Sequence, residues 1–275
     1  MAIHYAEASL SGVLGGKKAV TPDLVKVSHC KYGTMMYFPH DHYIGGSLEK
    51  YGAYNEEEAE FLLGAIPVGG LVVEVGANIG CHTLPMAKKV GPSGHVIAFE
   101  PQRVLHHMLC GNLALNVAWN VTALQVAIGS TAGVTHVPTV SYNQPGNFGR
   151  VSMSDSEGEP VPLFPLDHYA LPVLHLLKID VEGMELEVLQ GAAETIKRTR
   201  PLIYCENDRE DKKVELIAYL RSLDYDLYWH YPMLFTKDNY WAVEDNIFPS
   251  IASHNMACIP RERAEQTKTN LLAVE

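Results

Sequence analysis

Leu71-Val72-Val73-Glu74-Val75-Gly76-Ala77-Asn78-Ile79-Gly80 sets the architecture. Apolar and β-branched residues fill its first half and predict a buried strand, with Glu74 the single charge inside the run. Gly76, Asn78 and Gly80 then predict a turn of small residues, and His82 to Lys89 reads as the opening of a helix. A strand that breaks into glycines and turns into a helix is how a parallel α/β sheet begins a nucleotide site. Glu100 stands at the end of a second strand, His95–Phe99. A carboxylate there can accept hydrogen bonds from both hydroxyls of a ribose.

Outward from this unit the alternation is regular. Helices are expected near Cys81–Val90 and Val104–Asn116, with strands at Thr122–Ile128, Leu174–Ile179 and Leu202–Cys205. Helices follow at Glu185–Ile196 and Lys212–Leu223, and later strands fit Asp226–Tyr231 and Met256–Ile259. Strands alternating with helices predict a doubly wound parallel sheet. Upstream, Asn55 followed by Glu56-Glu57-Glu58 reads as a capped helix start. Val25–His29 and Thr34–Pro39 suit a hairpin. The division expected is an N-terminal extension or cap over 1–55, the main domain over 56–260, and a frayed tail over 261–275. Residues 130–173, rich in proline with β-like pieces at Val134–Val140 and Arg150–Met153, break the alternation and read as a β-rich insertion before the fourth strand.

Composition narrows the function. Among 275 residues, 21 basic side chains face 32 acidic ones, a formal charge of −11 with no basic cluster. Nucleic acid and anionic membranes are therefore not expected as partners. The cysteines Cys30, Cys81, Cys110, Cys205 and Cys258 lack CxxC spacing, which fits reduced thiols rather than zinc or disulfides. With no leader or membrane span visible, a cytoplasmic location is expected.

The turn Glu-x-Gly-x-Asn-x-Gly departs from the GxGxxG spacing that cradles a pyrophosphate. S-adenosylmethionine suits it better: a carboxylate tail near the turn and a ribose held by Glu100. Several stretches resemble the FkbM-type S-adenosylmethionine-dependent methyltransferases. They are Val72–Gly80, Ala-Phe-Glu-Pro-Gln over 98–102, Asn112–Asn116, Val126–Gly129, Lys178-Ile-Asp-Val-Glu-Gly-Met-Glu185 and Val188–Gly191. The resemblance implies a seven-strand Rossmann-like methyltransferase sheet whose last strand is antiparallel. It also implies methylation, usually of a hydroxyl, on a sugar, polyketide or other secondary metabolite. Glu74, Gly76, Asn78, Gly80, Glu100, Pro101, Ala127 and Asp180 are expected around the cofactor. Asn116 and Gln125 are expected beside the adenine.

Asp180 and Glu182 lie past the end of one strand, and Glu206-Asn207 closes the next, at the edge where such sheets bind ligands. Asp180, Glu206 and Asn207 are the catalytic candidates. Their oxygens could also converge on Mg²⁺ or Ca²⁺, an arrangement similar to the metal site of catechol-type O-methyltransferases. The lysine those enzymes carry is here Gly183. A general base, or hydrogen bonding to the acceptor, are the other readings of this set, with His230 and His254 as further bases. Tyr51, Tyr54, Tyr142, Phe148, Trp229, Tyr231, Tyr240 and Trp241 could line an acceptor pocket. The aromatic-rich N-terminal part also leaves a homo-oligomer open. N-methylation, a nicotinamide-dependent oxidoreductase and a non-catalytic nucleoside-binding domain are the competing functions.

Overall fold

A computed structural model describes residues 24–154, 156–264 and 271–275. The described residues open with the hairpin β1 (Lys26–Cys30) and β2 (Gly33–Tyr37), then α1 (Ile44–Tyr51) and α2 (Glu56–Ala65). The alternating part runs β3 (Leu71–Val75), α3 (Thr83–Val90), β4 (His95–Phe99), α4 (Arg103–Leu115) and β5 (Val121–Leu124). Then come β6 (Ala127–Ile128), β7 (Gly133–Val137), β8 (Glu159–Phe164), β9 (Leu176–Ile179), α5 (Glu185–Gln190) and α6 (Ala193–Thr199). The rest is β10 (Leu202–Glu206), α7 (Lys213–Ser222), β11 (Tyr225–His230), β12 (Asn255–Pro260), α8 (Arg261–Ala264) and β13 (Leu272–Ala273).

The main sheet has the order β13-β11-β12-β10-β9-β3-β4-β5. Strands β5, β4, β3, β9 and β10 pair in parallel, whereas β12 runs antiparallel to both β10 and β11. The seven long strands give the expected Rossmann-like sheet with its last long strand reversed. An eighth, short strand extends it. The frayed tail is thereby corrected for 271–275: Tyr228 pairs with Ala273 and Trp229 with Leu272, and the Arg221 guanidinium donates to the Val274 carbonyl at 2.7 Å.

Alternation along the buried strands divides the core between the two faces of the sheet. Val73, Val75, Ile179, Ile203 and Cys205 pack against Val188, Leu189, Ile196, Leu216 and Leu220 of α5, α6 and α7. Val72, Val96, Leu176 and Tyr204 pack against Leu62, Met86 and Val90 of α2 and α3. Burying a Val or Leu side chain contributes roughly 1.5–3 kcal/mol, so these two layers fix the strand order.

Three local expectations change. The single strand Thr122–Ile128 is split: β5 belongs to the main sheet, while β6 pairs with β8 in a separate three-stranded sheet with β7. The single helix Glu185–Ile196 is broken at Gly191-Ala192, where the backbone passes so close to the Gly129 carbonyl that a Cβ at Gly191 would overlap it. Asn55 has φ +44 and makes no cap bond; its Nδ2 instead donates to Glu58 Oε2 at 2.7 Å and to Ser253 Oγ at 3.0 Å.

Candidate active site

The β3 turn is shaped by contact with β9. Gly76 has φ +87, and a Cβ there would overlap the Asp180 carbonyl oxygen. Gly76→Ala is expected to cost at least about 1–3 kcal/mol from the left-handed backbone alone, checked by denaturant unfolding. From β4, Glu100 reaches back under the turn. Its Oε2 accepts the Asn78 N–H at 2.8 Å and its Oε1 the Gln102 N–H at 2.9 Å. A carboxylate has about four lone-pair sites, so two remain for the vicinal hydroxyls of a ribose.

Beside Glu100 lies a slot of about 50 Å³, lined by Pro101, Val126, Ala127, Val151, Met153 and Met184. These apolar walls suit a flat base, with Glu100, Gln102, Asp180 and Glu182 at the slot's polar side. A cavity holding a benzene ring measures about 150 Å³, so a purine enters only if side chains of the insertion, such as Val151 and Met153, move aside. The glycine turn and the Glu100 carboxylate suit S-adenosylmethionine as they stand, and the slot suits its base once those side chains move.

The slot shares Gly76, Glu100, Gly149, Asp180 and Glu182 with a larger cavity of about 420 Å³. The N-terminal part and the insertion are joined above it. Asp41 Oδ1 accepts the Tyr43 and Gly45 N–H groups at 3.0 and 3.1 Å, and its Oδ2 accepts the Phe148 N–H at 3.0 Å. Gln102 Nε2 donates to the Phe148 carbonyl at 3.0 Å, and Phe38 stacks on Tyr142 with ring centroids 5.0 Å apart.

Charge is concentrated on the cavity floor. Glu74 of β3 and Lys178 of β9 are register partners and share a face. Lys178 is 2% exposed, with Nζ 3.3 Å from Asp180 Oδ2, 3.8 Å from Glu58 Oε1 and 3.9 Å from Glu74 Oε1. Burial pulls the Lys178 ammonium down, but Asp180, Glu58 and Glu74 together raise it above its ordinary value, so it stays charged. Glu74 Oε2 also accepts the Thr83 hydroxyl at 2.5 Å. Glu58 Oε2 accepts from Asn55 and from Asn255 Nδ2, the latter at 3.1 Å. His82 lies beside Glu58, its Nδ1 3.6 Å from Glu58 Oε1.

At the other end of the floor stand Asp180, Glu182, Glu206 and Asp208. Burial, and then the neighbouring Asp180, Asp208, Glu182 and Glu185, push the Glu206 carboxyl up to about 10. It therefore keeps its proton at neutral pH, and its buried Oε2 has no hydrogen-bond partner among the described residues. The Asp180 side chain is 44% exposed and lines both compartments.

Most of the expected cofactor set gathers here: Glu74, Gly76, Asn78, Glu100, Pro101, Ala127 and Asp180 line the two compartments. Gly80, with φ +93, lies beneath the turn against Leu109 and lines neither. Asn116 is corrected. Its carboxamide is engaged by the hairpin, accepting the Thr34 N–H at 2.9 Å and donating to the Thr34 carbonyl at 2.7 Å. Gln125 sits in the break between β5 and β6 and is in neither lining.

Asn207 is also corrected, both as a catalytic and as a metal-ligating residue. Neighbours on an extended chain point to opposite faces, and Asn207 is buried with its Nδ2 3.4 Å from Met256 Sδ. Asp180 Oδ2 is instead engaged by Lys178 Nζ at 3.3 Å, so Asp180, Glu206 and Asn207 do not form the ligand set expected for Mg²⁺ or Ca²⁺. No group of three His, Cys, Asp or Glu among the described residues is arranged to hold a metal ion. His230 is taken up by the Tyr204 hydroxyl at 2.8 Å, while His254 reaches the cavity rim.

Lys178, Glu58 and His82 are the site residues that sequence reasoning did not pick. The signal for Lys178 was the one used for Glu74, a lone charge inside an apolar strand. For Glu58 and His82 no local signal existed, because α2 and the β3 turn meet only in the folded chain.

The buried acids predict an unusual pH dependence. Burial is the leading cause that pushes Glu58, Glu74, Glu100 and Glu182 each up to about 7, from 4.5. The native state thus holds protons that the unfolded chain has lost, and stability falls as pH rises through the folded pKa. His82, His106 and His230, lowered by burial, act in the opposite sense, but only below about pH 6.5. The thermal midpoint of the ligand-free protein should therefore decline from about pH 6.5 to 8; a midpoint that climbs over this range contradicts the burial of these carboxyls.

Residues 74–227 match the family described as the methyltransferase FkbM domain. Methyltransferase sdnD of Sordaria araneosa is 32% identical over 190 residues, covering 52% of this chain and 73% of that protein. Methyltransferase 1 of Beauveria bassiana (strain ARSEF 2860) is 26% identical over 152 residues, covering 46% of this chain and 59% of that one. Among solved structures, a methyltransferase FkbM from Methylobacillus flagellatus KT superposes with a TM-score of 0.46 at 18% identity. That superposition covers 68% of this chain and 43% of the other. No helix among the described residues is long and apolar enough to cross a membrane.

Proposed function

The chain belongs to the methyltransferase FkbM domain family, and from that premise we propose that it transfers a methyl group from S-adenosylmethionine to a hydroxyl of a small molecule. The observation that carries this reading is the position of Asp180. It lines both the nucleoside slot and the larger cavity, which is where a methyl group passing between them must travel. Bound there, S-adenosylmethionine supplies an electrophilic methyl on a cationic sulfur, and the carboxylates around it favour that cation.

Asp180 and the protonated Glu206 flank the acceptor hydroxyl, and Glu206 donates a hydrogen bond to its oxygen, which leaves the hydroxyl's own proton free for a base. Orientation contributes most in an in-line displacement. Tyr43, Ile44, Tyr54, Leu234 and Ile251 give the cavity an apolar wall for the body of the acceptor. The same acids favour oxygen over nitrogen: they hold an amine as its ammonium, which has no lone pair to take the methyl.

The test uses S-adenosylmethionine labelled in its methyl group with 4-nitrophenol, catechol, methyl glucoside and cyclohexanol as acceptors. Label should pass to at least one hydroxyl. Transfer to none of them, or binding of NADH in preference to S-adenosylhomocysteine, contradicts the reading. Asp180→Asn should bind S-adenosylhomocysteine as the parent does and lose turnover by about a hundredfold or more; retained turnover removes Asp180 from the acceptor site.

A further inference from the structure

His82 and Glu58 form a pair that the transfer reading leaves unused. Both are buried, at 6% and 4% exposed, and both line the 420 Å³ cavity. Glu58 belongs to α2, outside the stretch that matches the family. Its Oε2 is fixed by Asn55 at 2.7 Å and Asn255 at 3.1 Å, and its Oε1 lies between Lys178 Nζ at 3.8 Å and His82 Nδ1 at 3.6 Å. The Tyr54 ring packs against the imidazole with centroids 5.6 Å apart. The other imidazole nitrogen, Nε2, is buried and has no hydrogen-bond partner among the described residues. A buried ring nitrogen without a partner is costly unless a ligand supplies one.

We propose that His82, oriented by Glu58, is the catalytic base that takes the proton from the acceptor hydroxyl as the methyl group arrives. Glu58 is a positioning residue: the Asn55 backbone bonds the imidazole, and the Glu58 Oε1 charge 3.6 Å from Nδ1 favours the proton on that nitrogen, which leaves a bare lone pair on Nε2. In the step, the acceptor oxygen forms its bond to the methyl carbon and the carbon–sulfur bond breaks. The bond pair goes to sulfur, giving neutral S-adenosylhomocysteine, and the hydroxyl proton goes to Nε2. Glu58 offsets the imidazolium until the proton leaves to solvent.

The other candidates are already engaged. Asp180 is bonded to Lys178, Glu206 holds its own proton, His230 is bound to Tyr204, and His254 is exposed at the rim. Burial, and then the charge of Lys178, hold His82 well below the usual histidine range, so it is neutral and able to accept a proton at pH 7.

The inference rests on the hydroxyl-methylation reading, and the experiment separates the two. With whichever of the four probe acceptors the parent protein methylates, His82→Gln should lower transfer about a hundredfold or more and leave affinity for S-adenosylhomocysteine unchanged. Full transfer by His82→Gln overturns the proposal, and so does a loss that merely follows weakened binding of S-adenosylhomocysteine, which would assign His82 to the cofactor. Transfer by the parent to none of the probes defeats the methylation reading and this proposal together. Nitrogen-15 NMR of the parent protein with S-adenosylhomocysteine needs no acceptor: His82 should carry its proton on Nδ1, and Glu58→Gln should redistribute it. A proton found on Nε2 in the parent overturns the proposal.

Discussion

Replacing Lys178 by methionine is expected to destabilise the protein by about 3–5 kcal/mol, the usual cost of removing one partner from a buried charge cluster. Lys178 lies within 4 Å of Asp180, Glu58 and Glu74, with Nζ–O distances of 3.3, 3.8 and 3.9 Å. Without the ammonium, buried carboxylates face one another across the β3–β9 pair. They must then take up protons or unfold the cavity floor. Adding Glu74→Gln to the methionine variant should recover part of the loss, since one uncompensated charge goes with it. Denaturant unfolding of the single and double variants measures both effects. A Lys178→Met protein as stable as its parent would mean that the cluster is hydrated and open.

Glu100→Ala should weaken binding of S-adenosylhomocysteine on the order of a hundredfold or more. Above about pH 7, where the raised Glu100 carboxyl is ionised, each hydrogen bond from a ribose hydroxyl to it contributes about 1.5–3 kcal/mol, and two are lost together. The change also leaves the Asn78 and Gln102 N–H groups, now on the two carboxylate oxygens, without their acceptor. Stability is therefore measured alongside affinity by calorimetry. A variant that folds and binds with unchanged affinity would place the ribose elsewhere.

The sheet was legible because its signals are local. An apolar run, a glycine turn and an acid at the next strand end sit within Leu71–Glu100, and nothing distant is needed to read them. The misplacements have physical reasons. An unbroken Thr122–Ile128 strand would carry Gln125 to the crevice, but the chain leaves the main sheet after Leu124 to build the insertion, and Asn116, at the end of α4, is taken by the distant hairpin. Asn207 follows Glu206, and the two-residue period of a strand sends their side chains to opposite faces. The pattern itself held that information. The cluster of Glu58, Glu74, His82 and Lys178 is different. It assembles from α2, β3, the turn after β3, and β9, so only the register of Glu74 with Lys178 and the packing of α2 bring it together. The eighth strand escaped notice because two residues carry no periodicity.

The account depends most on a nucleoside lying across the carboxyl ends of β3 and β4. A crystal structure of the protein with S-adenosylhomocysteine tests this directly. Both ribose hydroxyls should donate to Glu100, with the adenine between Val126-Ala127 and Met184 and the sulfur turned toward Asp180. A ligand bound away from Glu100, or a slot still closed over Val151 and Met153 with the ligand elsewhere, would contradict it.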